Sequence, residues 1–289
     1  MKKFAVIDVG SNSVRLMFVA DGKVLYKALN TTRLGEGIAD APFLKSEAIE
    51  RSAKAVAEFY QKATAEGAEK ILVFATAAVR TAQNRETFTN KVKALCNAEV
   101  DVISGEEEAE IGILGALGNA DGAVIDVGGA STEIVVKRQG ELIYKKSLDI
   151  GVVRLKDKCG RDLRMLEEAA RNAAQEYGEI PLNGELYGIG GTATTLAAQA
   201  LGLTEYSSES VTGAVITTEK MKDLVDSFSK MTVQEIAALP CMPKGRADVI
   251  LGGAVLLFVL MKTLKIERLI VSDRDNLEGY AIKKAFMER

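Results

Sequence analysis

The chain has 289 residues, 37 Lys and Arg against 40 Asp and Glu, and 47% apolar residues, the profile of a globular protein long enough for two domains with separate cores. With no basic excess and only 6% aromatics, it lacks the charge and the stacking platforms of a DNA- or RNA-binding surface. It contains no histidine, which removes Ser/His/Asp and Cys/His triads, imidazole bases and His-ligated metals together.

The first predicted element is a strand over 4–9. Lys2 and Lys3 precede it, but Asp8 and Asn12 interrupt the apolar run too early for a signal peptide, so the mature chain is expected to begin here. A helix with Ile49, Ala53, Val56, Tyr60 and Ala63 on one face follows, with an N-cap at Ser46 and a stop at Gly67. Next come a strand over 71–75, a helix over 86–96 and a short strand over 99–103. A second set opens with strands over 123–127, 132–137 and 141–147 and continues through long helical segments and a strand over 186–189. The most apolar stretch, 249–261, is shorter than the about 20 residues that span a bilayer and reads as a buried helix, so no membrane partner is expected. Strands alternating with helices predict an α/β protein, divided near 119–122 into domains of 1–120 and 121–289. Cys96, Cys159 and Cys241 are odd in number and widely spaced, which supports neither a disulfide framework nor a zinc cluster and fits a reducing cytoplasm.

The strongest internal signal is a repeat. Residues 7–27 overlay 125–145 without a gap, with eight of 21 positions identical, where base-rate composition gives roughly one. Each copy reads as a strand ending in Asp, a small-residue turn, a second strand, a tight turn and a third strand. In the small-residue turns, Gly10, Ser11, Asn12 and Ser13, and likewise Gly128, Gly129, Ser131 and Thr132, combine backbone N–H groups with hydroxyls into a phosphate cradle. Asp8 and Asp126 would sit beside that anion, where like charges call for a cation, and Mg²⁺ with its oxygen ligands is the expected mediator. Ordinary hairpin turns with local Asp and Ser hydrogen bonds would show the same residues once; their duplication predicts two loops facing across a cleft and holding one phosphate chain.

These residues resemble the Ppx/GppA phosphatase family, within the superfamily of actin, Hsp70 chaperones and sugar kinases. The resemblance rests on Asp8-Val-Gly-Ser-Asn-Ser-Val-Arg-Leu16, Ala75-Thr-Ala-Ala-Val-Arg80, Ser104-Gly-Glu-Glu-Glu-Ala109, Asp126-Val-Gly-Gly-Ala-Ser-Thr-Glu133, Gly151-Val-Val-Arg-Leu155 and Gly188-Ile-Gly-Gly-Thr-Ala-Thr-Thr195. It implies an α/β fold of two actin-like (ribonuclease H-like) domains with the active site in the interdomain cleft, a last helix over about 276–287 able to pack back on the first domain, and Mg²⁺-dependent release of terminal phosphate. The implied substrates are inorganic polyphosphate, which the lack of a visible aromatic cluster for a base favours, and guanosine pentaphosphate, the nucleotide of the stringent response. A homodimer is left open. One departure stands out: where the family usually reads Ser-x-x-Gly-Leu-Arg-Glu-Gly, this chain has Ser272-Asp-Arg-Asp-Asn-Leu-Glu-Gly279, which puts affinity or chain-length preference in question.

By the same resemblance Glu108 takes the place of the base that orients water, and Glu133 that of a second catalytic carboxylate able to hold water or, with Asp8 and Asp126, the metal. Ser104 and Glu107 have the spacing of a capping box, which gives Glu107 a structural role. Arg15 and Arg80, and more weakly Arg33 and Arg154, are candidates for neutralising phosphate. Gly190, Gly191 and Thr192 precede a predicted helix whose N-terminus can cradle an anion. An ATP-binding, kinase-like or regulatory member of the superfamily is the alternative from a different class, and a silent polyphosphate-binding module a third.

Overall fold

The computed structural model describes residues 3–182 and 185–284. The first sheet comprises β1 (Lys3–Val9), β2 (Ser13–Ala20), β3 (Lys23–Thr31), β4 (Lys70–Ala75) and β5 (Asp101–Val102) in the order β3-β2-β1-β4-β5. Helices α1 (Ser46–Ala65), α2 (Ala77–Thr81) and α3 (Arg85–Cys96) connect its strands, and α4 (Gly105–Leu117) leads out of it. The second sheet comprises β6 (Gly122–Val127), β7 (Thr132–Arg138), β8 (Glu141–Leu148), β9 (Leu186–Ile189), β10 (Val215–Thr217) and β11 (Arg268–Val271) in the order β10-β11-β9-β6-β7-β8. Its helices are α5 (Val152–Cys159), α6 (Leu163–Tyr177), α7 (Gly190–Leu201), α8 (Ser208–Val211), α9 (Thr218–Lys230), α10 (Val233–Ala237), α11 (Ile250–Thr263) and α12 (Asn276–Lys283). Counted from β3 and from β8, both sheets place a hairpin of three antiparallel strands beside parallel crossover strands, and the second adds β10 at its far edge. This is the two-lobed actin-like arrangement.

The sequence repeat is also a repeat of geometry. Asp8 faces Arg15 across β1 and β2, and Asp126 faces Glu133 across β6 and β7. The register shifts between Phe18 and Val19 in one copy and between Val136 and Lys137 in the other, at the same repeat position. The following turns put Asp21-Gly22 and Gln139-Gly140 at positive φ in both lobes.

Strand β1 is apolar on both faces because both are covered. Ala5, Ile7 and Val9 pack with Ile49, Ala53 and Val56 of α1, while Phe4 and Val6 pack with Ile111 of α4 and with Leu277 and Tyr280 of α12. Helix α4 is shared: Ile111 serves the first sheet, and Ala109 and Ile113 meet Val124, Val135 and Ile189 of the second. The Tyr280 ring stacks on Phe74 with centroids 4.4 Å apart, and its hydroxyl donates to Asp101 Oδ2 at 2.6 Å. Helices α4 and α12 touch backbone to backbone, since a Cβ at Gly279 would fall within the Ile111 carbonyl and one at Gly115 within that of Asp275.

The boundaries of α1 and β5 differ from expectation. Ser46 is the first residue of α1, and Lys45, extended at φ −67° and ψ 142°, holds the cap position without a side-chain bond. Strand β5 is confined to Asp101–Val102 because the chain turns into α4 at Ser104. Helix α12 extends to Lys283, and residues 285–287 of the predicted last helix lie outside the described residues.

Replacing Gly279 by Ala should cost about 1–3 kcal/mol or more, as overpacking against a backbone that cannot yield. Urea unfolding of the variant checks this; a midpoint equal to the wild type would show that the helices can separate at no cost.

Candidate active site

The tips of the two duplicated hairpins touch. A Cβ on Gly129 would lie 2.7 Å from Ser11 Cβ and 3.1 Å from the Asn12 nitrogen, so only glycine lets the loops approach this closely. Each tip closes in the same way, Gly10 N–H donating to Ser13 O and Gly128 N–H to Ser131 O, both at 3.0 Å. The tip carbonyls are drawn into the protein: Ser11 O accepts from Gly35, Asn12 O from Thr32 and Arg33, Gly128 O from Val152 and Gly129 O from Val153. In a planar trans peptide the N–H points opposite to its carbonyl, so the amides of Asn12, Ser13, Gly129 and Ala130 point away from these partners, and all four residues line one small cavity. At about 70 Å³ it has room for a few waters or a terminal phosphoryl group, and not for a chain.

Asp8, Glu108 and Asp126 line this cavity with Arg15, Thr76, Arg246 and Asn276. Burial, reinforced by the charges of Asp275 and Glu108, pushes the Asp126 carboxyl up to about 8, while Asn276 Nδ2 donates to its Oδ2 at 3.1 Å. Burial also raises Glu108 despite the Arg80 guanidinium that donates to its Oε2 at 2.8 Å. Glu133 is raised well above the usual carboxylate range by burial and then by Glu108 and Asp126. Its Oε1 accepts from Ser147 at 2.7 Å. Asp8 is raised by burial, against the opposing charge of Arg15.

Asp8 Oδ1 and Glu133 Oε2 are buried without a hydrogen-bond partner. Orphaned hard oxygens of this kind fit Mg²⁺. Among the described residues, no three acidic side chains converge as a closed metal cage, which suits an ion that takes one or two protein oxygens and keeps its waters.

The cations are largely engaged. Arg15 donates from Nε and Nη2 to Asp8 and from Nη1 to Asp275, so it is clamped between two carboxylates. Arg80 pairs with Glu108 and also donates to the Ile103 carbonyl at 3.1 Å. Arg33 pairs with Asp248 at 2.9 Å, Arg154 Nε donates to Ala130 O of the second tip at 2.8 Å, and neither lines the cavity.

Gly10, Ser11, Asn12, Ser13, Gly128, Gly129, Ser131, Gly190, Gly191 and Thr192 all line the cavity. Thr132 does not: its hydroxyl donates to Ile150 O at 2.6 Å and staples the start of β7. Glu133 and Arg80 stand outside the wall, next to each other's neighbours, since Gly105 lies against both Ser147 and Arg80. Gly190 and Gly191 belong to the first turn of α7 rather than preceding it, and Gly190 takes φ +74° with Asp126 Oδ1 where a Cβ would be. The capping box at Ser104 is only half formed: Ser104 Oγ accepts from Glu107 N–H at 3.0 Å, but the Glu107 carboxylate pairs with Lys283 at 3.1 Å.

Sequence reasoning missed Thr76, Arg246, Asp275 and Asn276. Thr76 sits inside a motif already singled out, and Asp275 and Asn276 inside the departing C-terminal one, so a signal existed for each. Arg246 has no motif. It is 7% exposed, its Nε has no partner, and burial, then nearby Arg15, lowers its pKa to about 10. A second cavity of about 790 Å³ shares Arg15, Gly190, Gly191 and Arg246 with the first. Tyr26 and Tyr206 line it, two aromatic side chains that the sequence, with no visible aromatic cluster for a base, did not single out.

An acid whose pKa is raised on folding binds its proton more tightly in the folded chain. Its contribution to stability is full below the ordinary carboxylate range and is lost as pH rises toward about 8, where Asp126 titrates. In EDTA, the melting temperature should therefore fall between about pH 5 and about pH 8, and Asp126→Asn should flatten part of that fall. Thermal melts across this range decide it; parallel curves for variant and wild type would count against a protonated Asp126.

The model of the Ppx/GppA phosphatase family matches residues 4–285. The chain is 34% identical over 319 residues to Exopolyphosphatase 2 of Mycobacterium tuberculosis, covering 99% of each protein. It is 30% identical to a guanosine-5'-triphosphate,3'-diphosphate pyrophosphatase of Photobacterium profundum, covering 96% of this chain and 58% of that protein. A crystal structure of the Aquifex aeolicus member of the family superposes with a TM-score of 0.79 at 28% identity, covering 98% of this chain and 97% of that one. With the paired tips, the buried carboxylates and these matches in hand, the chain belongs to the Ppx/GppA phosphatase family.

Proposed function

We propose that this protein is a Mg²⁺-dependent phosphoanhydride hydrolase that releases terminal phosphate from inorganic polyphosphate or guanosine pentaphosphate in the reducing cytoplasm. The observation that carries the reading is the contact of the two duplicated tips around one small cavity walled by amides and carboxylates. Amides of Asn12, Ser13, Gly129 and Ala130 bind the oxygens of the terminal phosphoryl group, and the first turn of α7 adds Gly190 and Gly191. Glu108, fixed by Arg80 and Thr76, orients the attacking water and accepts its proton late in the transfer. Glu133, held by Ser147, positions the neighbouring group that water must approach. Asp8 and Asp126 would hold Mg²⁺, with Glu133 behind them. The ion would supply neutralisation of phosphoryl charge.

Arg15 grips phosphate only as its clamp on Asp8 loosens, so we assign it to the bound state; Arg80 acts first by holding Glu108. The larger cavity, with Tyr26 and Tyr206 in its wall, supports a nucleoside end as well as a bare chain. Guanosine pentaphosphate therefore stands beside polyphosphate as a substrate.

Phosphate release from polyphosphate, guanosine pentaphosphate and ATP tests the assignment, and turnover of ATP alone would favour the kinase-like alternative. Glu108→Ala and Glu133→Ala should each lower kcat by about 10²-fold or more. Asp8→Asn and Asp126→Asn should move the Mg²⁺ activation curve to higher concentration; an unchanged curve in both would remove them as ligands.

A further inference from the structure

The start of α12 reaches both halves of the repeat. Asp275 Oδ2 accepts from Arg15 Nη1, and Arg15 in turn holds Asp8. The next residue, Asn276, donates from Nδ2 to Asp126 Oδ2 at 3.1 Å, across 150 residues of sequence. The two aspartates that the duplication placed in separate lobes are therefore held from consecutive positions at one helix start. That start is braced: the Asp275 carbonyl fills the space a Cβ on Gly115 of α4 would need, and Leu277 and Tyr280 pack with Phe4 and Val6 of β1.

The helix itself does not call for an asparagine at 276. The Asp275 carboxylate accepts from Leu277 N–H at 3.0 Å and the Glu278 carboxylate from Asp275 N–H at 3.1 Å, which completes the capping box without it. The Asn276 side chain is 4% exposed and only half satisfied, because its Oδ1 has no hydrogen-bond partner. A leucine of similar size would leave no orphaned carbonyl, so the carboxamide is kept at a cost to stability. Its orientation follows from chemistry, since an ionised carboxylate accepts only from the NH₂ end. Oδ1 is thereby turned toward Gly112 of α4, where a Cβ would come within 3.0 Å of it, one helical turn beyond Glu108. On Asp126 the same bond occupies Oδ2 and leaves Oδ1, which lies where a Cβ on Gly190 would collide with it, in the wall of the small cavity.

We propose that Asn276 is a positioning residue for Asp126: by tethering Oδ2 it stops the carboxylate from swinging and presents Oδ1 as the oxygen offered to a divalent cation. A hydrogen bond behind a ligating group fixes its orientation, and losing one typically costs about 10–100-fold in metal affinity. The stability given up at the orphaned carbonyl is then exchanged for a fixed ligand. The inference rests on the assignment of Asp126 as a ligand of that cation.

The test uses Mn²⁺ as the probe, because electron paramagnetic resonance counts its free form. Wild type, Asn276→Leu, Asn276→Ala and Asp126→Asn are titrated without substrate, and their melting temperatures are measured in EDTA. Both Asn276 variants should bind Mn²⁺ about tenfold or more weakly. Asn276→Leu should nevertheless melt close to the wild type, since removing the orphaned carbonyl offsets the lost bond. A residue that only supported the fold would do the reverse, lowering the melting temperature and leaving the affinity of the folded protein unchanged. Asn276→Ala adds no new contact and keeps the experiment decisive if the leucine packs poorly. Unchanged Mn²⁺ affinity in either folded Asn276 variant, with Asp126→Asn weakened, overturns the inference. A wild type that takes up no Mn²⁺, or an Asp126→Asn variant that matches it, overturns Asp126 as a ligand and the inference with it.

Discussion

Two loops from separate lobes can share one ligand only if their backbones come within contact distance, and here that condition is met by Gly129 lying against Ser11 and Asn12. A side chain at 129 would push the tips apart. The contact depends on structure far from the site, because α4 and α12 cross backbone to backbone at Gly115 and Gly279 and thereby set how the lobes lean together. The lobes are also tied at the cleft, by Thr31 Oγ1 donating to Lys244 O at 2.6 Å, Gly37 N–H to Asp157 at 2.9 Å and Arg33 pairing with Asp248. With these ties in place the tips meet across the cleft around a small cavity of about 70 Å³ that adjoins the larger one.

Closing it concentrates negative charge. Asp8, Glu108, Asp126, Glu133 and Asp275 are all buried within one electrostatic neighbourhood, and each raises the cost of ionising another. Arg15 and Arg80 offset part of this by direct pairing. A divalent cation would offset more, and so would proton uptake at Asp126. Chemistry and stability are thus coupled through the same carboxylates: the groups that would hold metal and water are those whose burial is costly.

The duplication produces reciprocal ties between the lobes. Lys27 and Lys145 are the same residue in the two repeats. Lys145 on β8 pairs with Glu106 and Glu110 of α4, and Lys27 on β3 pairs with Glu278 of α12. In each case the third hairpin strand of one lobe reaches the helix that follows the last strand of the other. The second lobe carries a carboxylate, Glu133, where the first has Arg15, so equivalent strand positions hold a buried acid on one side and a charge-paired guanidinium on the other.

Much of this was legible in the chain itself. Alternating apolar runs, the gapless repeat and the Asp-plus-hydroxyl turns determined the α/β class, the paired hairpins and most residues of the cavity wall, because strand period and turn chemistry are local properties. Glu108 was recognisable only through resemblance, since an acidic first turn is otherwise ordinary helix chemistry. What only the tertiary structure decided was where the long-range partners fall. Arg246 carries no motif and enters the site because the turn before α11 abuts Gly191. Thr132 left the wall because Ile150, 18 residues on, offers its carbonyl. Asp275 clamps Arg15 across 260 residues. Such pairings depend on which lobe surfaces meet, and periodicity along one chain holds no information about that.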